Sequence, residues 1–206
     1  MKADFPGRTP AAPSARNANW LFLRKWMQAP LSVASITPSS AELARAMAAS
    51  LSQAEGVVVE LGGGTGAITQ ALLASGVAAE KIIIIERDAH FCAFLQRRFS
   101  QVRVLQGDAR FLKSLLRKSG IDLPVRAVVS GLPFLSMSRR LQMRLLHQVF
   151  AVTDGKGPLI QFSYSPFSPL KRSIRDRMEV AEQCTQKVWR NLPPAKVWSF
   201  RPSAGP

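Results

Sequence analysis

Short apolar runs alternate along the chain with stretches of helical periodicity. The runs lie at Val57–Val59, Ile82–Ile85, Val102–Leu105, Val125–Val129 and Leu159–Tyr164. Because strands that are buried on both faces are apolar throughout, these runs predict a parallel sheet. The stretches between them have apolar residues at helical spacing and predict helices over 67–74, 88–99, 110–118 and 136–152.

The last part of the chain predicts a different arrangement. Residues 179–190 and 196–201 form two further strand-like stretches, joined by Leu192-Pro193-Pro194-Ala195. A short proline-containing connection favours an antiparallel pair. We therefore predict an α/β fold with a seven-stranded, mostly parallel sheet and an antiparallel C-terminal strand. This domain is expected to span residues 31–206, a length sufficient for one core.

A glycine-rich turn follows the first predicted strand. Gly62, Gly64 and Gly66 come directly after it, and a helical stretch comes next. Glycine at these places lets the backbone turn tightly and lets a ligand approach it closely. Glu60 ends the strand, where its carboxylate would repel phosphate. The same carboxylate would attract the ammonium or sulfonium group of a cationic ligand.

Two further acids follow the next two strands. Glu86 stands roughly 20 residues beyond the glycines, where an acid binds ribose hydroxyls. Asp108 follows the third strand and could accept a hydrogen bond from an adenine amino group. An alternative for the first acid is structural, with Glu86-Arg87-Asp88 opening a helix that Asp88 caps.

Three acids at the ends of three successive strands resemble the S-adenosylmethionine site of class I methyltransferases. The resemblance implies a Rossmann-like fold with S-adenosylmethionine as cofactor. The residues it places at the cofactor are Glu60, Leu61, Gly62, Gly64, Thr65, Gly66, Glu86, Arg87, Asp108, Ala109, Ser130, Gly131 and Leu132.

Charge adds an anionic partner to this picture. Lys and Arg number 28 against 13 acids, a net charge of +15, which suits nucleic acid or an acidic membrane surface. Composition does not choose between them. The two cysteines make neither a disulfide framework nor a metal cluster, so we expect a reducing cytosol and no metal. No apolar run of about 20 residues and no secretory signal is present.

The first thirty residues divide into two parts. Residues 1–15 are rich in Pro, Ala and Gly and are expected to form a disordered tail. Residues 16–30 predict an amphipathic helix whose aromatic and basic side chains suit a membrane interface. The alternative is a helix that packs on the domain as a lid. The expected membrane-binding residues are Arg16, Trp20, Leu21, Phe22, Leu23, Arg24, Lys25, Trp26 and Met27.

Two methyltransferase families share the glycine turn and a Leu-Pro-aromatic motif after the fourth strand. The ribosomal RNA adenine dimethyltransferases have Asn-Leu/Ile-Pro-Tyr/Phe, in which the Asn accepts from the exocyclic amine and the aromatic ring stacks on the base. In this chain Gly131 stands at the position of that Asn, and glycine has no side chain to make the bond. Nucleic acid is therefore not the expected partner, and an RNA adenine N6-dimethyltransferase is the alternative function.

The chain more closely resembles the short bacterial phospholipid N-methyltransferases, which convert phosphatidylethanolamine to phosphatidylcholine. The likeness extends over roughly residues 19–202. It includes Phe22-Leu23-Arg24, Pro30-Leu31-Ser32-Val33, Pro38-Ser39-Ser40, Glu60–Gly66, Ser130-Gly131-Leu132-Pro133-Phe134 and Tyr164-Ser165-Pro166. It implies a cytoplasmic enzyme bound peripherally to the inner face of the membrane, with anionic phospholipid and phosphatidylethanolamine as partners. A lipid-binding module with a vestigial cofactor pocket is the non-enzymatic alternative.

The chemistry of an amine acceptor suggests further residues. An ethanolamine ammonium has a pKa of about 10, so it must lose a proton before it attacks a methyl group. Tyr164 and Phe134 could hold a methylated cation by cation–π contact, and Pro133 lies between that phenylalanine and the cofactor motif. The headgroup phosphate needs a cation, for which the candidates are Arg139, Arg140, Lys171 and Arg172. No residue stands out as a general base.

Overall fold

The computed structural model describes residues 38–51, 56–122, 124–189 and 194–203. The predictions of a tail over 1–15 and a membrane-binding helix over 16–30 lie outside these described residues. So do the nine side chains assigned to membrane contact.

Among the described residues, seven strands form one mixed sheet. Their order is β3-β2-β1-β4-β5-β7-β6, and β7 is antiparallel to both β5 and β6. The other pairs, from β3 across to β5, are parallel. The strands are β1 Val57–Leu61, β2 Ile82–Glu86, β3 Arg103–Gln106, β4 Val125–Ser130, β5 Leu159–Ser163, β6 Val180–Val188 and β7 Ala195–Pro202. The predicted fold class is confirmed, including the single antiparallel strand near the C-terminus.

Helices cover both faces of the sheet. They are α1 Pro38–Ala49, α2 Ala67–Ala74, α3 Ala89–Arg98, α4 Leu112–Lys118, α5 Arg139–Val152 and α6 Arg172–Arg177. Apolar side chains of α1, α2 and α3 form one buried cluster with the sheet. Those of α4, α5 and α6 form a second cluster on the other face.

The apolar runs that predicted the strands are needed because both faces are covered. Val58 packs in the first cluster, whereas Val57 and Val59 pack in the second. All three are at most 1% exposed. The same alternation holds along β2, so a polar residue inside either strand would be desolvated.

The chain direction brings the ends of most strands to one side of the molecule. Because β7 alone runs in the opposite direction, β1 to β6 all end at the same edge of the sheet, here called the carboxyl edge. Backbone bonds join the loops there: Gly62 N donates to Ile85 O at 2.8 Å, and Gly131 N donates to Leu61 O at 2.9 Å. None of the helices among the described residues is long and apolar enough to cross a membrane.

Candidate active site

The glycine turn after β1 requires glycine at three places. Gly62, Gly64 and Gly66 have φ angles of 76°, 51° and 80°, in the left-handed region that side chains disfavour. A Cβ placed on Gly64 would meet no atom of the described residues within 4 Å, so this part of the domain leaves the turn open to a ligand there. By contrast, a Cβ on Gly66 would approach the Phe99 ring to 2.4 Å, which ties the turn to α3.

Glu60 lies beneath this turn, inside the core. Its side chain is fully buried, and one carboxyl oxygen accepts from Thr69 Oγ1 of α2 at 2.6 Å. The other oxygen, Oε1, has no hydrogen-bond partner among the described residues. Burial raises the pKa of Glu60 to about 8, with the bond from Thr69 opposing the shift and the negative charge of Glu86 adding to it. A buried acid with a free oxygen is suited to a cationic ligand.

Glu86 connects the end of β2 to the same turn. Its Oε2 accepts from Gly64 N at 3.0 Å, and its Oε1 accepts from the backbone N–H of Arg87 at 2.7 Å and of Asp88 at 2.9 Å. Asp88 caps α3 by accepting from His90 N and Phe91 N. The structural alternative for this segment, in which Asp88 caps the helix, is thus present. Glu86 faces the glycine turn.

Asp108 already has a cationic partner. Its carboxylate accepts from Arg110 Nη2 at 2.7 Å and from the backbone N of the same residue at 2.9 Å. The side-chain bonds from Arg110 hold the pKa of Asp108 below its usual range. The sequence did not predict this pair. The bond from Gly107 N to Glu86 O, at 2.8 Å, places Asp108 beside the end of β2, as expected for a cofactor-binding residue. An adenine amino group bound there would have to share the carboxylate with Arg110.

The loop after β4 lies against the glycine turn. The Leu132 side chain occupies the space next to Gly62, where an added Cβ would meet its Cδ2 at 2.9 Å. A Cβ on Gly131 would come within 2.9 Å of Gly62 O, a backbone atom that cannot easily move. Ser130 Oγ accepts from Leu132 N at 3.2 Å. Position 131 therefore favours glycine because a side chain would collide with the Gly62 carbonyl. Its backbone conformation does not require glycine, since its φ is not positive.

Gln161 of β5 was not predicted as a site residue. It is 1% exposed, and its Nε2 donates to Leu132 O at 3.0 Å. Within the part of the chain that the structure describes, its Oε1 has no hydrogen-bond partner. The available signal was a single amide in the apolar run Leu159–Phe162. Gln161 holds the loop after β4 in place and leaves a buried acceptor beside it.

The three residues predicted to meet the amine are placed differently from one another. Phe134 is 1% exposed and packs in the core with α5, so its ring does not present a face to a headgroup. Pro133 is half-buried. Tyr164, just past the end of β5, is half-buried and lies edge-on to Phe162 with ring centroids 5.3 Å apart. Of the two aromatic residues, Tyr164 is the one whose ring remains partly accessible.

The predicted phosphate-binding cations follow β4 and β5 at the carboxyl edge. Arg139 and Arg140 are exposed in the first turn of α5, and Arg172 is exposed and 3.8 Å from Asp176. Lys171 is half-buried. Of the remaining predicted cofactor residues, Arg87 is exposed, while Thr65 and Ala109 are half-buried and Leu61 is buried. Within the described part of the chain, no three His, Cys, Asp or Glu side chains cluster closely enough to hold a metal ion.

Comparison with known proteins gives one close relative of similar length. The ornithine lipid N-methyltransferase of Singulisphaera acidiphila is 34% identical over 189 residues, which cover 88% of this chain and 95% of that protein. No protein-family model matches the sequence.

Solved structures support the fold. A TehB-like S-adenosylmethionine-dependent methyltransferase from Corynebacterium glutamicum has a TM-score of 0.54 at 13% identity, covering 89% of this chain and 97% of that one. An O-methyltransferase from Bacillus cereus, solved with S-adenosylhomocysteine, has a TM-score of 0.55 at 11% identity and covers 94% and 92%. At such identities the likeness concerns the fold alone.

Proposed function

The chain belongs to the family of the ornithine lipid N-methyltransferase, and from that membership we propose that it methylates the amine of a membrane lipid with S-adenosylmethionine. The acceptor we propose is phosphatidylethanolamine and its methylated intermediates, leading towards phosphatidylcholine at the inner face of the cytoplasmic membrane. The observation that carries the activity is 34% identity over nearly the full length of a lipid N-methyltransferase.

The residues of the carboxyl edge fit this cofactor. The open space over Gly64 leaves room for it, and the unpartnered Oε1 of Glu60 is a buried acceptor for a positively charged group. Glu86, whose carboxylate ends β2 beside the turn, would hold the ribose hydroxyls. Bound S-adenosylmethionine would supply an electrophilic methyl group on its sulfonium.

The chain itself would provide placement and charge. A cation bound near Glu60 favours the ionised carboxyl, so the pKa of Glu60 would fall from about 8 when the cofactor binds. Gly131 and Leu132 would form the wall between cofactor and acceptor, held by Gln161 through Leu132 O. Alignment of an amine with a methyl group in such a wall accounts for a large part of the rate acceleration in methyl transfer.

The acceptor amine must arrive without its proton. Transfer from water into a partly desolvated pocket lowers the pKa of an ammonium, so the proton leaves to water as the headgroup enters. The face of Tyr164 would stabilise the cation that methylation creates. We assign no general base.

The choice of phosphatidylethanolamine rests on the cations of the carboxyl edge. Arg139, Arg140 and Arg172 are exposed where a headgroup would enter, and a phosphodiester is a natural partner for arginine. In this proposal the helix predicted over 16–30 adds membrane affinity.

The test is incubation of the full chain with methyl-labelled S-adenosylmethionine and vesicles that contain phosphatidylethanolamine, ornithine lipid or neither, followed by lipid chromatography. We expect label in the mono-, di- and trimethylated phosphatidylethanolamines. Label in ornithine lipid alone would refute the choice of acceptor and retain the activity. No label in either lipid would refute the activity. In a parallel incubation without vesicles, label in an adenine-containing RNA would favour an RNA adenine dimethyltransferase instead.

A further inference from the structure

Four large apolar side chains are exposed in the described part of the chain, and all lie at one edge of the sheet. They are Phe111, Leu135, Phe167 and Trp189, here called the apolar rim. Phe111 follows β3, Leu135 follows β4, Phe167 follows β5 and Trp189 follows β6. Phe167 is 76% exposed and Trp189 is 72% exposed, values unusual for side chains of this size.

The topology places Trp189 with the others. Val188 at the end of β6 pairs with Ala195, and the next residue of β7, Lys196, pairs with Ser163 at the end of β5. The end of β6 is therefore level with the end of β5. All four rim residues thus project from the edge that also carries the glycine turn and Tyr164.

Two of the rim loops are fastened to each other. Gln142 of α5 is fully buried, and its Nε2 donates to Phe134 O at 2.5 Å and to Pro169 O at 3.2 Å. One side chain therefore joins the loop that carries Leu135 to the loop that carries Phe167. Because these loops are anchored from inside, the exposure of the rim residues belongs to the folded architecture.

Basic side chains surround the rim. The guanidinium groups of Arg110 and Arg144 lie 5.8 Å and 4.8 Å from the centre of the Phe111 ring. Arg139 and Arg140 follow Leu135 closely, and Lys171 follows Phe167. Aromatic and aliphatic tips among arginines and lysines match the interface of an anionic bilayer, where apolar groups enter the acyl boundary and cations meet phosphates.

We propose that the apolar rim is the surface by which the folded domain itself rests on an anionic bilayer. Phe167, Leu135 and Trp189 enter the interfacial layer, and the carboxyl edge faces the lipid. This inference rests on the proposed function and extends it, because it fixes the orientation in which a headgroup reaches Tyr164 without leaving the membrane. The domain contact is additional to the one expected if residues 16–30 form the predicted helix.

The test measures which part of the domain touches lipid. In the full chain with Cys92→Ala and Cys184→Ala, a single cysteine is introduced as Phe167→Cys, Leu135→Cys or Lys118→Cys and labelled with an environment-sensitive fluorophore. Lys118 is exposed at the end of α4. The carbonyl of its neighbour Ser119 accepts a hydrogen bond from Arg103, which begins β3, so Lys118 lies at the edge of the sheet opposite the carboxyl edge. Vesicles of phosphatidylcholine and phosphatidylglycerol carry a nitroxide lipid as quencher.

We expect quenching and a blue shift at positions 167 and 135 and neither at 118. Equal quenching at all three positions, or quenching at 118 alone, would overturn the proposal. If the label at position 167 is already shielded from water without vesicles and is not quenched when they are added, the proposal is wrong. Residues 1–37 of the same chain would then be the segment that covers the rim. These vesicles hold no amine acceptor, so the result does not depend on catalysis.

A second variant keeps the test valid if a labelled chain folds poorly. Leu135→Ser with Phe167→Ser should lower activity on vesicles at least several-fold and leave activity unchanged on a short-chain, monomerically dispersed amine lipid. Equal loss on both substrates, or no loss on vesicles, would contradict a docking role. Failure of the wild-type chain on the dispersed lipid would instead count against the proposed function.

Discussion

At the scale of single residues, the buried carboxyl group of Glu60 lowers the stability of the folded chain at neutral pH. Glu60 has a pKa of about 8 in the folded chain against an ordinary value of 4.5. Between these pH values the folded state holds a proton that the unfolded state releases. Stability therefore falls as the pH rises from about 4.5 to about 8, by an amount on the order of a few kcal/mol over the whole range, and is constant above. A carboxyl group kept at such a cost is typical of a ligand site.

Replacement of this carboxyl should stabilise the protein and impair it. We expect Glu60→Gln, which retains an acceptor for Thr69, to raise the free energy of unfolding by about 1–3 kcal/mol at pH 8 and by little at pH 5. The same change should weaken S-adenosylmethionine binding at least tenfold, because the neutral amide does not attract a cation. Urea unfolding at both pH values and calorimetry measure the two effects. Destabilisation at pH 8, or unchanged affinity, would contradict this account.

Gly131 is a second position at which a single substitution should affect both stability and activity. A side chain there must displace Gly62 O, which lies 2.9 Å from the ideal Cβ position, and so must shift the glycine turn. Gly131→Asn, which restores the motif of the RNA enzymes, should lose about 2 kcal/mol of stability and most lipid methylation without gaining RNA methylation. Thermal unfolding and label transfer to RNA test it. Gly120→Ala is the control, since only its φ of 64° is unfavourable there.

At the scale of elements, the sequence predicts whatever depends on local pattern. The runs at Val57–Val59 and Ile82–Ile85 became β1 and β2 because burial on both faces demands continuous apolar residues. The six-residue helix α6 was not predicted, because its position depends on a distant contact in which Arg175 pairs with Glu182 of β6. The long helix begins at Arg139 and not at 136, because residues 134–136 form a 3-10 turn and Ser138 caps the helix.

The candidate site divides in the same way. Glu60, Glu86 and the glycines were predicted because their chemistry follows from their positions at strand ends. The pairing of Asp108 with Arg110, the burial of Phe134 and the bond from Gln161 to Leu132 O depend on side-chain packing. No spacing rule encodes those contacts.

Helix α5 is expected to control the two loops at the carboxyl edge through one residue. Gln142→Met conserves volume but removes the side-chain donor to Pro169 O and leaves Phe134 O with the backbone N–H of Met137 as its donor. We expect a loss of about 2 kcal/mol in unfolding free energy and a larger fractional loss of activity on vesicles than on dispersed lipid. Gln148→Met is the matched control on the same helix, because its amide oxygen accepts one bond, from Lys113 N. Equal effects of the two changes would argue against a special role for Gln142.

At the scale of the whole molecule, two forces would hold the protein on a membrane, and salt separates them. The net charge of +15 attracts anionic lipid, whereas the apolar rim gains free energy by burial. Raising salt from about 0.1 M to about 1 M shortens the screening length from about 10 Å to about 3 Å. Charge attraction should largely vanish over that range while apolar insertion persists or strengthens.

Co-sedimentation with anionic vesicles should therefore show a steep fall in binding with salt and a residual level that salt does not remove. In the variant with Leu135→Ser and Phe167→Ser, binding should still fall steeply with salt, because the charge of the protein is unchanged. The residual binding at high salt should be lower than in the wild-type chain. Changing Arg139 and Arg140 to Glu should instead reduce the salt-dependent part of the binding and leave the residual binding at high salt unchanged. Changing Arg117 and Lys118 at the opposite edge to Glu should reduce binding less. If both pairs of reversals weaken binding equally, the protein is drawn to the bilayer by its total charge, and no edge of the sheet is favoured.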